Sequence, residues 1–151
     1  MIVSRYMQLS SRRKRASSRK RRPILQAKHS VIEIAEQGVL YSESVSYLQN
    51  GLNLYVELED KPGQASCYNI LGIVYFCVGQ YDSALEAQSH ALMLHEDLGN
   101  KSSMASCLGN IGNIYQTVGQ YDEALSHSLR AMAIQEELGD EFGVAVTANN
   151  I

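Results

Sequence analysis

Sliding the chain against itself by 40 residues places 62–101 over 102–141, with 16 of 40 positions identical. No other feature constrains the fold as strongly. A chain that repeats at this interval builds one supersecondary unit several times and buries each copy's apolar face on the next. The matching blocks read ASCYNILGIVYFCVGQYDSALEAQSHALMLHEDLGN and ASCLGNIGNIYQTVGQYDEALSHSLRAMAIQEELGD. A further shift starts another copy at 142–151, with Ala145 on Ala65 and Ala105, and Ile151 on Leu71 and Ile111. In the other direction residues 23–61 form a worn copy, in which Tyr41 falls on Tyr81, Leu52 on Leu92, Leu58 on Leu98 and Asp60 on Asn100.

Each copy reads as two helices. Tyr68, Leu71, Gly72, Tyr75 and Val78 follow the apolar stripe of a 3.6-residue period. Gly79 and Gly119 come next, where a left-handed cap favours a residue without Cβ. Asp82 and Asp122 are then expected to cap the second helix, which runs over about 82–98 in the first copy and ends at Gly99 or Gly139. Asp60, Asn100 and Asp140 stand where they can cap the helix after that. Small residues at Gly72, Ala84 and Ala91 recur as Gly112, Ala124 and Ala131 and let helix axes approach closely. The expected architecture is all-α: tandem antiparallel helix hairpins stacked as an α-solenoid, with 142–151 beginning a further repeat that stops partway.

The pattern Tyr68-x-x-Leu71-Gly72-x-x-Tyr75, Gly79-x-Tyr81-x-x-Ala84 and Ala91-Leu92 resembles the tetratricopeptide repeat, with Tyr68 in the slot usually given to Trp. Ile111-Gly112-x-x-Tyr115, Gly119-x-Tyr121-x-x-Ala124 and Ala131 repeat it. The period of 40, with second helices closing on E-x-L-G-[DN], is similar to the subclass found in kinesin light chains, GoLoco spindle adaptors and bacterial signalling arrays. Two departures stand out. Glu96 and Glu136 replace the usual helix-ending proline, and Gln88 and Ser128 fill a slot often aromatic.

The net charge of −3 averages two opposite parts. Residues 1–30 carry ten Lys and Arg and no acid, whereas 31–151 hold all sixteen Asp and Glu with only Lys61, Lys101 and Arg130. The segment 1–22 is a basic arm outside the repeat register, too charged and too poor in apolar residues to fold alone. It admits four readings: a solvated tail or non-native extension, a nucleic-acid or nuclear-import contact through residues 5–22, an organelle transit peptide, and an intramolecular contact with the acidic body. No apolar stretch approaches the roughly 20 residues of a membrane span. Three cysteines cannot build a disulfide framework, so a reducing, cytoplasmic setting is expected.

Nothing in the pattern points to catalysis, a metal or a cofactor. His29, His90, His95 and His127 lack ligand spacing and read as surface histidines, and Cys67 and Cys107 read as small buried apolar residues. Gly109 and Gly112 read as helix packing positions rather than a phosphate loop.

What remains is surface. In stacked repeats the first helix of each copy lines an inner groove, and the family resemblance implies peptide ligands there. Residues off the packing stripe are Ser66, Asn69, Ile73 and Phe76 in one copy and Ser106, Asn110, Asn113 and Gln116 in the next. An asparagine amide offers both donor and acceptor to the backbone of an extended peptide. Tyr68, Leu71, Gly72, Tyr75, Ala84, Ala91, Ile111, Gly112, Tyr115, Ala124 and Ala131 are assigned to packing between helices. Some relatives grip a C-terminal carboxylate with Lys and Arg on first helices, but this chain has only Lys101 and Arg130 between 62 and 151. The expected function is a non-catalytic scaffold or adaptor for an extended peptide or helix. The alternatives are the truncated sensory or oligomerisation region of a bacterial signalling protein, associating through an uncapped C-terminal end, and a nucleic-acid-associated protein using the arm.

Overall fold

The computed structural model describes residues 40–151. The basic arm at 1–22, with its nucleic-acid, targeting and self-contact readings, lies outside the described residues, as do His29 and the first part of the worn copy. Ser44–Ile151 forms one compact unit. Six helices and no strand are found among the described residues: α1 (40–57), α2 (Lys61–Cys77), α3 (Tyr81–Asp97), α4 (Lys101–Thr117), α5 (Tyr121–Glu137) and α6 (Glu141–Asn149).

The regularity begins at the helix ends. Gly79, Gly99, Gly119 and Gly139 all hold positive φ, between 64° and 83°. At the end of α2 the Gln80 amide donates to the Tyr75 carbonyl and the Gly79 amide to that of Phe76, the paired bonds of a Schellman end. The same two bonds close α3, α4 and α5. They also close α1, but there the left-handed residue is Glu59, at φ 54°, where the other copies carry Gly99 and Gly139. A residue with a Cβ is strained in this conformation.

The residue that completes one helix end also starts the next helix. Asp60 accepts from the Gly63 amide at 3.0 Å, Asn100 from Ser103 at 3.2 Å and Asp140 from Gly143 at 2.9 Å, as their positions in the repeat indicate. Asp82 and Asp122 do not cap. The N-cap residues of α3 and α5 are Gln80 and Gln120, and neither makes a side-chain cap bond. The Schellman geometry places the N-cap two residues earlier than side-chain chemistry alone indicates. The two acids therefore lie inside the first turn, where they meet the positive end of the helix dipole.

Helix α2 packs on α3 and α4 on α5 within hairpins, and α3 on α4 and α5 on α6 between them, so each hairpin stacks on the next through its second helix. Ala84, Ala87 and Ala91 on α3 and Ala124 and Ala131 on α5 are buried, and their small side chains allow close approach. Leu108 and Ile114 of α4 are buried as well, each worth about 1.5–3 kcal/mol by transfer from water. Of the stripe assigned to packing, Leu71, Gly72, Ile111 and Gly112 are buried too, while Tyr68, Tyr75 and Tyr115 are half-buried. Gly63 lies directly under the Tyr55 ring, and Gln64 donates to the Tyr55 carbonyl at 3.1 Å, which seats α2 on α1. Lys61–Asp97 at 3.0 Å and Lys101–Glu137 at 2.6 Å tie the start of a first helix to the end of its second helix. Both pairs are more than half exposed, so each contributes about 0–1 kcal/mol.

Two further expectations are corrected. His95 is 7% exposed, not a surface residue, because it occupies an inward position on the last turn of α3. Gly109 has open space where a Cβ would stand, so it is not a packing glycine, whereas a Cβ on Gly112 would meet Ser128 Oγ at 2.8 Å.

Candidate binding groove

First helices α2 and α4 lie side by side. Their register turns Ile73, Phe76, Asn110 and Asn113 toward one cavity of about 80 Å³, completed by Gly72, Ile114 and Gln88. Four of the eight residues chosen for the groove from sequence thus meet at one place. The other four are placed differently. Ser66 and Ser106 are exposed and donate to the carbonyls of Pro62 and Ser102, one turn back on their own helices. Asn69 reaches Asn110 across the two helices, accepting from Asn110 Nδ2 at 3.4 Å, a long bond. Gln116 lines a different cavity, with Gly112, Tyr121, Ser128 and Ile151.

The walls of the first cavity are mainly apolar. Ile73 is 45% exposed, and Phe76 is half-buried against the Tyr81 ring, with centroids 5.8 Å apart. The Asn113 side chain makes no hydrogen bond among the described residues, and Asn110 makes only the long one to Asn69. No charged residue lines the cavity.

Sequence reasoning missed Gln88. It is fully buried in α3, facing Gly72, where an added Cβ would lie 2.7 Å from its Cγ. Its Nε2 donates to the Asn69 carbonyl at 3.0 Å, and its Oε1 is buried with no donor. The one signal available was its departure from the usual aromatic at that slot.

All three bases among the described residues are paired: Lys61 with Asp97, Lys101 with Glu137, and Arg130 with Glu96 at 3.8 Å. The groove therefore presents no cation to a carboxylate. Burial pushes the Cys107 thiol up to about 11 and raises that of Cys67, which disfavours a thiolate at either site. Burial also lowers the His95 pKa. Among the described residues no group of three or more His, Cys, Asp or Glu could hold a metal ion, and no helix is long and apolar enough to cross a membrane.

Helical hairpins repeating every 40 residues, joined end to end and packed through neighbouring helices, define an α-solenoid of the protein-interaction type. Tetratricopeptide-repeat profiles match residues 34–97 and 104–141, together more than half of the chain. The chain belongs to the tetratricopeptide repeat family. Repeats of this family in general mediate protein–protein interaction and are non-catalytic.

Among solved structures, BtubC (BKLC) from P. vanneervenii aligns with a TM-score of 0.62 at 22% identity, over 66% of this chain and 41% of that one. The nearly identical TPR-like repeats of a Podosopora anserina protein assigned as a kinesin light chain give 0.58 at 20% identity, over 76% and 56%. The N-terminal domain of stress-induced protein-1 from C. elegans gives 0.51 at 13% identity, over 73% and 96%. At these identities the likeness is one of fold, and this chain spans less than two thirds of the first two structures. A search of curated proteins finds no match.

Proposed function

We propose that the chain is a non-catalytic scaffold that holds an extended peptide segment of a partner protein in the groove between α2 and α4. The observation that carries this reading is the cavity itself. Ile73, Phe76, Asn110 and Asn113 converge there, with two exposed or half-buried apolar side chains beside amides that are not consumed by the fold. An apolar lining with a few polar groups is the usual make-up of a recognition site. The uncharged lining and the acidic body favour neutral or basic segments and disfavour acidic ones, mainly by steering.

The test uses a displayed library of random peptides and calorimetry on the enriched sequences. Replacing Asn110 and Asn113 together by Ala is expected to weaken binding about tenfold, the loss of one to two hydrogen bonds. Unchanged affinity, with circular dichroism intact, refutes groove binding.

Exposed apolar side chains on the last two helices support a second reading, an array that self-associates as part of a signalling protein. Leu125 and Leu129 on α5 and Phe142 and Val146 on α6 are 43–80% exposed. Sedimentation velocity should then show an oligomer that Phe142→Ser shifts toward monomer, and a monomer at all concentrations removes this reading.

A further inference from the structure

We propose that the groove reads one residue of its ligand by chemistry: a small, uncharged side chain that donates a hydrogen bond to Gln88 Oε1. The inference rests on the peptide-groove reading above and sharpens what the peptide must carry.

Gln88 is an unusual floor for a cavity. Its amide has a fixed orientation, because Nε2 faces the Asn69 carbonyl at 3.0 Å and the opposite placement would set two acceptors together. Oε1 is then the buried atom without a donor. A buried acceptor left unpaired costs about 1–3 kcal/mol. An apolar residue at this slot would avoid that cost. The next repeat shows that the slot does not demand an amide, since Ser128 faces Gly112 in the same way. Retaining an unpaired acceptor beside the groove residues makes sense when a ligand completes it.

The surroundings define the donor. The cavity of about 80 Å³ is roughly half the ~150 Å³ that admits benzene in a protein core, so it takes a small side chain and excludes large ones. Ile73, Phe76 and Ile114 form apolar walls that accept a methyl or methylene. No carboxylate lines the cavity, so a buried ammonium or guanidinium would go uncompensated. Serine, threonine and asparagine meet all three conditions. Asn110 and Asn113 line the same cavity and offer amides to the peptide backbone beside the anchor.

A displayed library of random peptides selected on the full chain, wild type and Gln88→Met, provides the test. Methionine keeps the volume and removes the acceptor. Wild type is expected to enrich Ser, Thr or Asn at one anchor position, and changing that anchor to Ala should weaken binding about tenfold. In Gln88→Met the same change should matter less than about twofold, with apolar anchors enriched instead. Should Gln88→Met fail to fold, the unaltered protein still decides: the Gln88 side-chain amide signals must move on titration with the anchor peptide and stay still with its Ala version. Groove-binding peptides with no donor preference, or Gln88 signals indifferent to the anchor, overturn the inference and leave Oε1 to a water only. A library that yields no groove binder at all removes the peptide-groove reading, and this inference with it.

Discussion

Replacing Glu59 with glycine should stabilise the protein. Glu59 occupies the left-handed position of a Schellman end, φ 54°, which Gly99 and Gly139 fill in the following copies. For a residue with a Cβ this conformation costs about 1–2 kcal/mol. Glycine removes that strain but returns part of the gain, because its unfolded chain has more freedom, worth about 0.4–1 kcal/mol. The net expectation is a gain of about 0.5–1 kcal/mol, or ~2–6 °C in Tm for a unit of roughly this size. Glu57 and Asp60 are close in sequence, so removing a charge alone could also help. Glu59→Gln controls for this, and Glu59→Asn, which tolerates the left-handed region better, should fall between. The converse variant, Gly99→Glu, should lose a similar amount, since nothing lies within 4 Å of a Cβ there and the cost is backbone conformation alone. Thermal melts followed by circular dichroism read all four variants. The reasoning fails if Glu59→Gly is no more stable than Glu59→Gln, or if Gly99→Glu is neutral.

Two mid-helix glycines of the groove helices, Gly72 and Gly109, should respond oppositely. Gly72→Ala forces the fully buried Gln88 aside and should cost about 1–3 kcal/mol, whereas Gly109→Ala enters open space and should gain about 0.5–1 kcal/mol, both measured by denaturant titration. Burial lowers the His95 pKa below the 6.5 of the unfolded chain, so the unfolded state binds more protons as pH falls. Its contribution to stability is full above about 6.5 and is lost as pH drops through the folded pKa; His95→Gln, which copies Gln135, should flatten that part of the pH profile. Thiol labelling read by mass spectrometry should modify exposed Cys77 first and reach buried Cys67 and Cys107 only at the rate of opening. Equal labelling of all three in the native protein contradicts the buried placement.

The hairpins were legible in sequence because their signals are local. Gly79, Gly99, Gly119 and Gly139 mark left-handed ends, and Asp60, Asn100 and Asp140 mark helix starts, each through geometry spanning a few residues. Asp82 and Asp122 misled for the same reason. Aspartate is a good cap wherever it stands first, and only the backbone bonds of the preceding turn show that it stands second. Gln88 and His95 were illegible as buried residues. A polar side chain in an amphipathic helix reads as solvent-facing until its partner across the hairpin is known. For Gln88 that partner is a carbonyl on another helix, and a bond of this kind leaves no trace in periodicity. For the candidate groove, helix register brought Ile73, Phe76, Asn110 and Asn113 together on one cavity, but the contribution of α3 to its floor required the packing of two chain segments.

The glycine that opens each first helix to its second has a consequence for how such an array can change over time. Gly72 faces Gln88 and Gly112 faces Ser128, while the helix ends around both pairs are built alike. The residue opposite the glycine takes no part in those ends, so exchanging it leaves the bonds that close and start each helix in place. A duplicated hairpin therefore arrives with its architecture complete and its floor residue open to variation. That one position can vary hairpin by hairpin, while the 40-residue spacing along the array is inherited intact.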